Sequence, residues 1–385
     1  MNKGEMKRLG DYIREVDVRN RNLEVTKLLG VSISKEFMPS IANTIGTDMS
    51  SYKVVKPRQF VYIADTSRRG DKIAIALLQG KNNKAIVSSI YTVFEVKNKQ
   101  ELLHEYLMMW FRHPEFDRYA RFKSHGSARE IFSWEEMCDV ELPVPPIEQQ
   151  QKIVSEYEAI THRIRLNEQI ITKLEETAQT LYRKMFVNGI DKEDLLEGWK
   201  MGTIGEFCKE MKSGGTPNRS NTEYWNRKDY RWLKTGEVQN NVILNTEEYI
   251  SEVGLINSSA KIIPCGAIVM AMYGATAGQV AYLDCETTTN QACCNMICHT
   301  KDDAAFLFFH LLYYQEEIKR LANGGAQENL SQEIITAQPI LLFEDERKKT
   351  ILVKLFDFII YKYREYGILA ELQSLSLARM GHKQS

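Results

Sequence analysis

No apolar run in this 385-residue chain reaches membrane-spanning length, and its first residues, Met1-Asn2-Lys3-Gly4-Glu5-Met6-Lys7, hold no apolar signal core. Neither a membrane partner nor a secreted protein is expected. The cysteines number seven, an odd count, and none stands in a Cys-x-x-Cys knuckle. That disfavours a disulfide framework and a zinc ribbon, and the expected compartment is the reducing cytoplasm. Cys265, Cys285, Cys293, Cys294 and Cys298 cluster near His299 but read as small buried hydrophobes rather than metal ligands. Catalytic signatures are missing too. There is no phosphate-binding Gly-x-x-x-x-Gly-Lys-Ser/Thr, no Gly-x-Ser-x-Gly elbow and no Asn/Asp-Pro-Pro-Tyr/Phe tetrapeptide. Gly274-Ala275-Thr276-Ala277-Gly278 lacks the spacing of a dinucleotide fingerprint. No catalytic residue and no metal ligand is nominated, and the histidines are scattered without matched partners.

A large excess of one charge is also lacking. The net charge is −1, but residues 1–145 hold 23 Lys+Arg against 19 Asp+Glu, giving +4, whereas residues 198–340 hold 12 against 16, giving −4. Phosphate neutralisation dominates most DNA affinity. A chain this neutral binds nucleic acid weakly alone, or borrows positive charge from a partner.

What is present is an outline written twice. Leu9-Gly10-Asp11-Tyr12-Ile13 is echoed by Ile204-Gly205-Glu206-Phe207-Cys208. Gly126-Ser127-Ala128 before Ser133 is echoed by Gly324-Gly325-Ala326 before Ser331, and Pro143 with Glu148 by Pro339 with Glu344. The repeat is too long for a solenoid unit of roughly 20–50 residues. It predicts two similar domains, each followed by a helix. In the first, Phe60–Ile63, Ile73–Leu78 and Ile86–Phe94 read as strands, and about Gln100 to Arg112 as a helix stopped by Pro114. In the second, Ala267–Met272 and Gln279–Leu283 read as strands around the Gly274–Gly278 turn. A helix is expected from about Ala304 to Leu321, ended by Asn323-Gly324-Gly325.

Between the domains, Ile153, Tyr157, Ile160, Ile164, Asn167, Ile171, Leu174, Ala178, Leu181 and Met185 alternate in threes and fours, a heptad seam over more than four heptads. A helix of about 40 residues spans roughly 60 Å. One narrow seam wants one partner helix, and the chain offers it after Glu344, with Val353, Phe356, Ile360 and Tyr363 on its seam. Gly367 weakens this second pattern, and Leu369, Leu372 and Leu375 resume it less regularly. Antiparallel pairing would place equivalent domains at opposite ends of a rod; the bland reading is that each helix packs on its own domain. Asn167 reads as a register device. The expected fold is α+β, with two similar α/β domains, 1–146 and 191–340, and two long helices, 147–190 and 341–385, pairing as an antiparallel coiled coil.

Chemistry suited to nucleic acid recurs in the loops. Ser67-Arg68-Arg69-Gly70-Asp71-Lys72 is a basic loop, and Ser213-Gly214-Gly215-Thr216-Pro217-Asn218 offers hydroxyls and backbone N–H groups for phosphate. Lys234-Thr235-Gly236 sets a cation and a hydroxyl at a turn, Tyr273 and Thr276 sit at a hairpin tip, and Asn290 and Gln291 carry amides that pair with adenine. The candidate DNA contacts are Lys35, Arg68, Arg69, Ser88 and Arg129 in the first domain, and Thr216, Asn218, Lys234, Tyr273, Thr276, Asn290 and Gln291 in the second. Ile153, Ile160, Ile164, Ile171, Leu174, Leu181, Val353, Phe356 and Ile360 are the candidate helix-pairing and partner-docking positions.

Leu142-Pro143-Val144-Pro145-Pro146-Ile147-Glu148-Gln149-Gln150-Gln151-Lys152-Ile153-Val154, with the helix that follows, resembles the specificity subunits of type I restriction–modification enzymes. So do Ser213–Pro217 with Tyr224-Trp225 and Trp232-Leu233, and the stretch from Ser258-Ser259-Ala260-Lys261 through Tyr273–Gly278 to Thr289-Asn290-Gln291-Ala292. The likeness covers essentially the whole chain. The second helix entry, Leu341-Leu342-Phe343-Glu344-Asp345-Glu346-Arg347, keeps only Glu344 of the motif. The resemblance implies a non-catalytic subunit in which each domain reads half of a bipartite target in double-stranded DNA. It implies paired helices that set the spacer and dock two modification subunits, with two restriction subunits completing the assembly. The chain itself is expected to hold no cofactor; S-adenosylmethionine, Mg and ATP belong to the partner subunits. The other readings are a self-contained DNA methyltransferase with divergent motifs and a coiled-coil scaffold with no DNA role.

Overall fold

The chain forms two compact units, one combining Met1–Arg163 with Leu369–Ser385 and the other comprising Ile164–Ile368. The computed structural model describes residues 6–40, 46–65, 72–80, 83–125, 130–188, 190–191, 195–321, 329–343 and 349–381.

The first unit is built on β1 (Ile13–Glu15), β2 (Gln59–Tyr62), β3 (Ile75–Leu77) and β4 (Thr92–Val96), an antiparallel sheet in the order β1-β4-β2-β3. Side chains alternate across its faces. Phe60, Tyr62 and Phe94 enter a core shared with Tyr106, Leu107 and Phe111 of α1 (His104–Arg112) and Phe116 of α2 (Pro114–Lys123). Val61 and Val93 face a second core with Leu29, Val31, Val55, Ala85 and Val87. The Ile86–Phe94 run is not one strand. Ala85–Val87 pairs with Lys53–Val55, a turn closes where Tyr91 N donates to Ser88 O at 3.1 Å, and β4 then begins on another sheet. Pro114 ends α1 but also opens α2, because the first helical position needs no donor; His113 Nδ1 accepts the Glu115 N–H at 3.1 Å.

The second unit holds β5 (Glu210–Ser213), β6 (Tyr230–Leu233), β7 (Asn241–Ile243), β8 (Glu248–Ile250), β9 (Ile262–Ile263), β10 (Ile268–Ala271), β11 (Val280–Leu283), β12 (Thr287–Thr289) and β13 (Cys293–Ile297). They form a five-stranded sheet, β5-β13-β10-β11-β7, and a four-stranded sheet, β8-β6-β12-β9. Val269, Ala271, Ala281 and Leu283 pack with Leu233 and Ile263 in one core. Their neighbours Ile268, Met270 and Tyr282 join a second core with Phe306, Phe308 and Phe309 of α3 (Lys301–Tyr313). The expected Ala304–Leu321 helix is two helices, α3 and α4 (Gln315–Arg320), broken at Tyr314; Asn323–Gly325 lies outside the described residues.

The repeat has a structural cause. Met6–Arg8 pairs antiparallel with Glu141–Pro143, and Trp199–Thr203 with Pro339–Phe343. Beside each pair a short helix, Trp134–Cys138 or Gln332–Thr336, presses on the repeated glycine. A Cβ on Gly10 would stand 2.8 Å from Cys138 Cβ, and one on Gly205 2.5 Å from Thr336 Cγ2. The repeated serines cap those helices: Ser133 accepts from Glu136 N and Ser331 from Ile334 N, both at 3.2 Å.

The central helix runs over Ile147–Phe186 and the C-terminal helix over Thr350–Gly381, continuing through Gly367. They pair antiparallel. In the first unit Val154 and Tyr157 share a core with Met380, and Gln373 Nε2 donates to Thr161 Oγ1 at 2.8 Å. In the second, Lys362 Nζ donates to Asn167 Oδ1 at 3.3 Å and Tyr363 Oη to Glu175 Oε1 at 3.1 Å. Ile164, Ile171, Phe356 and Ile360 are buried; Ile153, Ile160, Leu174, Leu181 and Val353 are half-buried. The helices also serve their domains: Tyr182 and Phe186 are buried against Phe306. Leu372 and Leu375 are exposed and do not continue the seam.

The Glu148-Gln149-Gln150-Gln151 entry turns on its middle glutamine. Gln150 is fully buried; Nε2 donates to the Glu101 and Pro145 carbonyls, both at 2.8 Å, and Oε1 accepts from Leu103 N at 2.9 Å. The C-terminal helix is tied differently, by buried Lys349 donating to Asp303 Oδ1 at 2.6 Å in the first turn of α3. Residues Glu344–Arg347 lie outside the described residues.

Candidate nucleic-acid interface

At one end of the second unit the strand termini bring separate loops together. β6 and β12 run parallel, with Leu233 opposite Thr289, and Asn290 N donates to Leu233 O at 3.0 Å. β5 ends at this edge opposite Cys294, and β10 ends opposite Cys293. The loop after β5 threads against it: Gly215 N donates to Thr289 O at 2.8 Å, Trp232 Nε1 donates to Gly215 O at 3.0 Å, and a side chain on Gly215 would collide with Ser259. Thr216 Oγ1 then donates to Gln291 Oε1. The tip between β10 and β11 joins through Thr276 Oγ1, which donates to Thr235 O at 2.8 Å. Thr216, Lys234, Tyr273, Thr276, Asn290 and Gln291 therefore share one edge. Asn218 follows on the exposed continuation of the loop, its Oδ1 accepting from Ser220 N at 3.0 Å.

The electrostatics of this edge are balanced, not basic. Lys234 Nζ donates to Glu247 Oε2 at 2.7 Å and lies 3.2 Å from Glu248 Oε1, and hydrogen bonding to Glu247 raises its pKa. Glu248 also pairs with Arg219, whose guanidinium lies 3.8 Å from the Trp225 ring centroid and 4.6 Å from that of Trp232. Burial pushes the carboxyl of Glu237 up. Arg219 and Trp225 were not nominated from sequence; their sign was a basic and an aromatic residue flanking the Thr216–Asn218 loop. Tyr273 is 40% exposed at the tip.

In the first unit the candidates fare differently. Lys35 is buried, at 5% exposure, and is not available to DNA: Nζ donates to both Asp117 oxygens, at 2.8 and 2.9 Å, and to the Phe111 carbonyl. It sits in a tight turn with φ +63°, and burial lowers its pKa against the pull of Asp117. Ser88 is half-buried in the turn before β4. Arg68, Arg69 and Arg129 lie outside the described residues.

Among the described residues no group of three or more His, Cys, Asp or Glu side chains is placed to hold a metal. Cys293 and Cys294 are buried, and burial pushes the Cys294 thiol up to about 12; Cys265, in contrast, is exposed. No helix among the described residues is long and apolar enough to cross a membrane.

The sequence pattern of the type I restriction modification DNA specificity domain matches residues 33–176 and 196–374. The chain is 24% identical over 374 residues to the type I restriction enzyme HindI specificity subunit of Haemophilus influenzae, covering 77% of this chain and 80% of that one. It is 26% identical over 133 residues to the EcoR124I/EcoR124II specificity subunit of Escherichia coli, about a third of each. Among solved structures, the S subunit of a type I restriction–modification system from M. genitalium shares the fold, with a TM-score of 0.59 at 13% identity over 100% of this chain and 97% of that one.

Proposed function

Because the chain belongs to the family of type I restriction–modification DNA specificity subunits, which are non-catalytic, we propose that its two domains read the two halves of a bipartite sequence in double-stranded DNA. The observation that carries this reading is a repeated scaffold with unrepeated loops. Gly10 and Gly205, Ser133 and Ser331 and the two strand pairs are equivalent, whereas the Thr216, Tyr273, Thr276, Asn290 and Gln291 edge has no residue-for-residue counterpart in the first domain. A common frame with different reading groups suits an asymmetric target. Thr216, Asn218 and Tyr273 offer hydroxyl, amide and aromatic contacts, and Asn290 and Gln291 the amides for adenine. With Lys234 and Arg219 already paired, phosphate neutralisation falls mostly to partners.

The paired helices act as the spacer. Exposed Ile351, Phe358 and Tyr361 on the C-terminal helix and Leu166 and Ile170 on the central helix suit docking of two modification subunits. Those subunits supply S-adenosylmethionine chemistry, and two restriction subunits supply ATP- and Mg-dependent steps. The test is single-molecule methylation sequencing of a host carrying this chain with its modification partner. It should return two unlike half-sites and a fixed spacer. Inserting one helical turn near Thr172 should lengthen the spacer and leave the half-sites unchanged; altered half-site bases would refute the ruler. Binding of S-adenosylmethionine by the isolated chain would point instead to a self-contained methyltransferase.

A further inference from the structure

Among the described residues four non-glycines have positive φ, and two of them, Lys35 at +63° and Asn240 at +56°, occupy equivalent places in the two domains. Each bonds a polar side chain on the helix that follows the domain's α1 or α3. In the first domain Lys35 Nζ donates to both oxygens of Asp117 on α2, and Asp117 Oδ1 accepts from Ile73 N at 3.0 Å. In the second, Gln315 of α4 donates through Nε2 to Asn240 Oδ1 at 2.9 Å and to Gly278 O at 2.8 Å, and Asn240 Oδ1 accepts from Val280 N at 3.0 Å. Ile73 and Gly278 each lie two residues before a strand, β3 from Ile75 and β11 from Val280.

The equivalence extends further. Asp117 and Gln315 are 198 positions apart, as are Phe132 and Leu330 and the capping serines Ser133 and Ser331. Phe132 N and Leu330 N hold the opposite limb, donating to Ala64 O at 2.8 Å and to Met272 O at 2.9 Å. The strand pairs β2–β3 and β10–β11 are thus each gripped on both limbs where the chain leaves the sheet. In the second domain the gripped hairpin carries Tyr273 and Thr276 onto the candidate DNA edge, where Thr276 is tied to Thr235.

Stability alone does not account for the grip in the first domain. Lys35 and Asp117 are buried, at 5% and 9% exposure, and a buried ion pair returns little over apolar side chains of the same volume. What the pair supplies, and apolar side chains cannot, is an acceptor fixed on the Ile73 N–H. The chemistry differs between the domains, an ion pair against an amide pair, while the gripped backbone position is the same. Backbone strain of this kind clusters where geometry has to be fixed, and a binding site needs its contact groups held to about 0.5 Å.

We propose that Lys35 with Asp117, and Asn240 with Gln315, are positioning residues that set the base selectivity of their domains through the hairpins they hold. This rests on the DNA-reading role of the domains. The experiment uses the full chain assembled with its modification subunit, on duplexes carrying the methylated sequence or single-base changes in either half-site. For the parent, each changed base pair should weaken binding by roughly 5- to 150-fold. Lys35→Met combined with Asp117→Leu removes the grip without stranding a buried charge. It should reduce the penalty to below about fivefold, the bottom of that range, for changes in one half-site only. Asn240→Gly, which suits the positive φ, should relax the other half-site. Asp117→Asn keeps an acceptor for Ile73 and should keep the parent's selectivity. Undiminished penalties in both half-sites for the Lys35→Met/Asp117→Leu chain overturn the proposal. So does a lower melting temperature or uniformly weaker binding with selectivity intact, which makes the pairs structural only, and so does relaxation of the same half-site by both variants. A parent complex that discriminates at neither half-site refutes DNA reading itself, a distinct result.

Discussion

Gln150 offers the sharpest test of how the central helix is seated. Its side chain makes three hydrogen bonds from a fully buried position, two as donor to Glu101 O and Pro145 O and one as acceptor from Leu103 N. Gln150→Leu preserves the volume and removes all three. At about 1 kcal/mol net for each bond, the loss is about 3 kcal/mol. It grows where the Leu103 N–H and the two carbonyls find no water, since an unsatisfied buried group costs about 1–3 kcal/mol. Leu103 is the N-cap residue of α1 and has no side-chain cap of its own, so the glutamine ties the start of one helix to the start of another. Amide hydrogen exchange read by mass spectrometry is the suitable assay, because two compact units need not unfold as one. Peptides covering residues 101–112 should lose protection by roughly two orders of magnitude. Peptides from β10 and β11, in the other unit, should keep theirs. Unchanged exchange at 101–112, or an equal loss in both units, would refute the account.

Two other substitutions probe separate features. Gly205→Ala forces a Cβ to 2.5 Å from Thr336 Cγ2 and should cost about 1–3 kcal/mol by overpacking; pairing it with Thr336→Ser should recover part of that loss in a denaturant titration, and no recovery would mean that the contact is not the cause. Burial raises the pKa of Glu175, against the hydrogen bond from Tyr363. A carboxyl with a raised folded pKa gives its stability below the unfolded value and loses it as pH rises through the folded value. Glu175→Gln should therefore melt above the parent at pH 7, and the gap should close as pH falls toward about 4.3; a gap that persists at low pH would contradict the assignment.

The features legible from residue order were those set by local spacing. The apolar spacing predicts a central helix from Glu148 to about Val187 and the helix runs over Ile147–Phe186, because a helical period needs no tertiary partner to show itself. The turn at Gly274–Gly278 was legible for the same reason, with Gly274 and Gly278 both at positive φ. Features set by distant chain were not. Ile86–Phe94 carries β-branched and aromatic residues on both sides of Ser88-Ser89, and only the two sheets that claim its ends reveal the turn at Ser88. Lys35 looked like an exposed cation; its partner Asp117 lies 82 positions away. Gln150 was visible as part of a motif, but its role depends on Glu101 and Leu103, outside that motif.

Each domain is entered and left through adjacent strands: Met6 lies opposite Pro143, and Trp199 opposite Phe343. A segment whose two ends meet in one ladder can be cut out and replaced without moving the chain on either side, provided the replacement brings matching ends. The ladders mark the natural seams for such an exchange, and the short helices capped by Ser133 and Ser331 travel with their own inserts. On the proposed reading of one half-site per domain, recombination at these seams would change one half of the target and leave the other half, and the spacing, as they were.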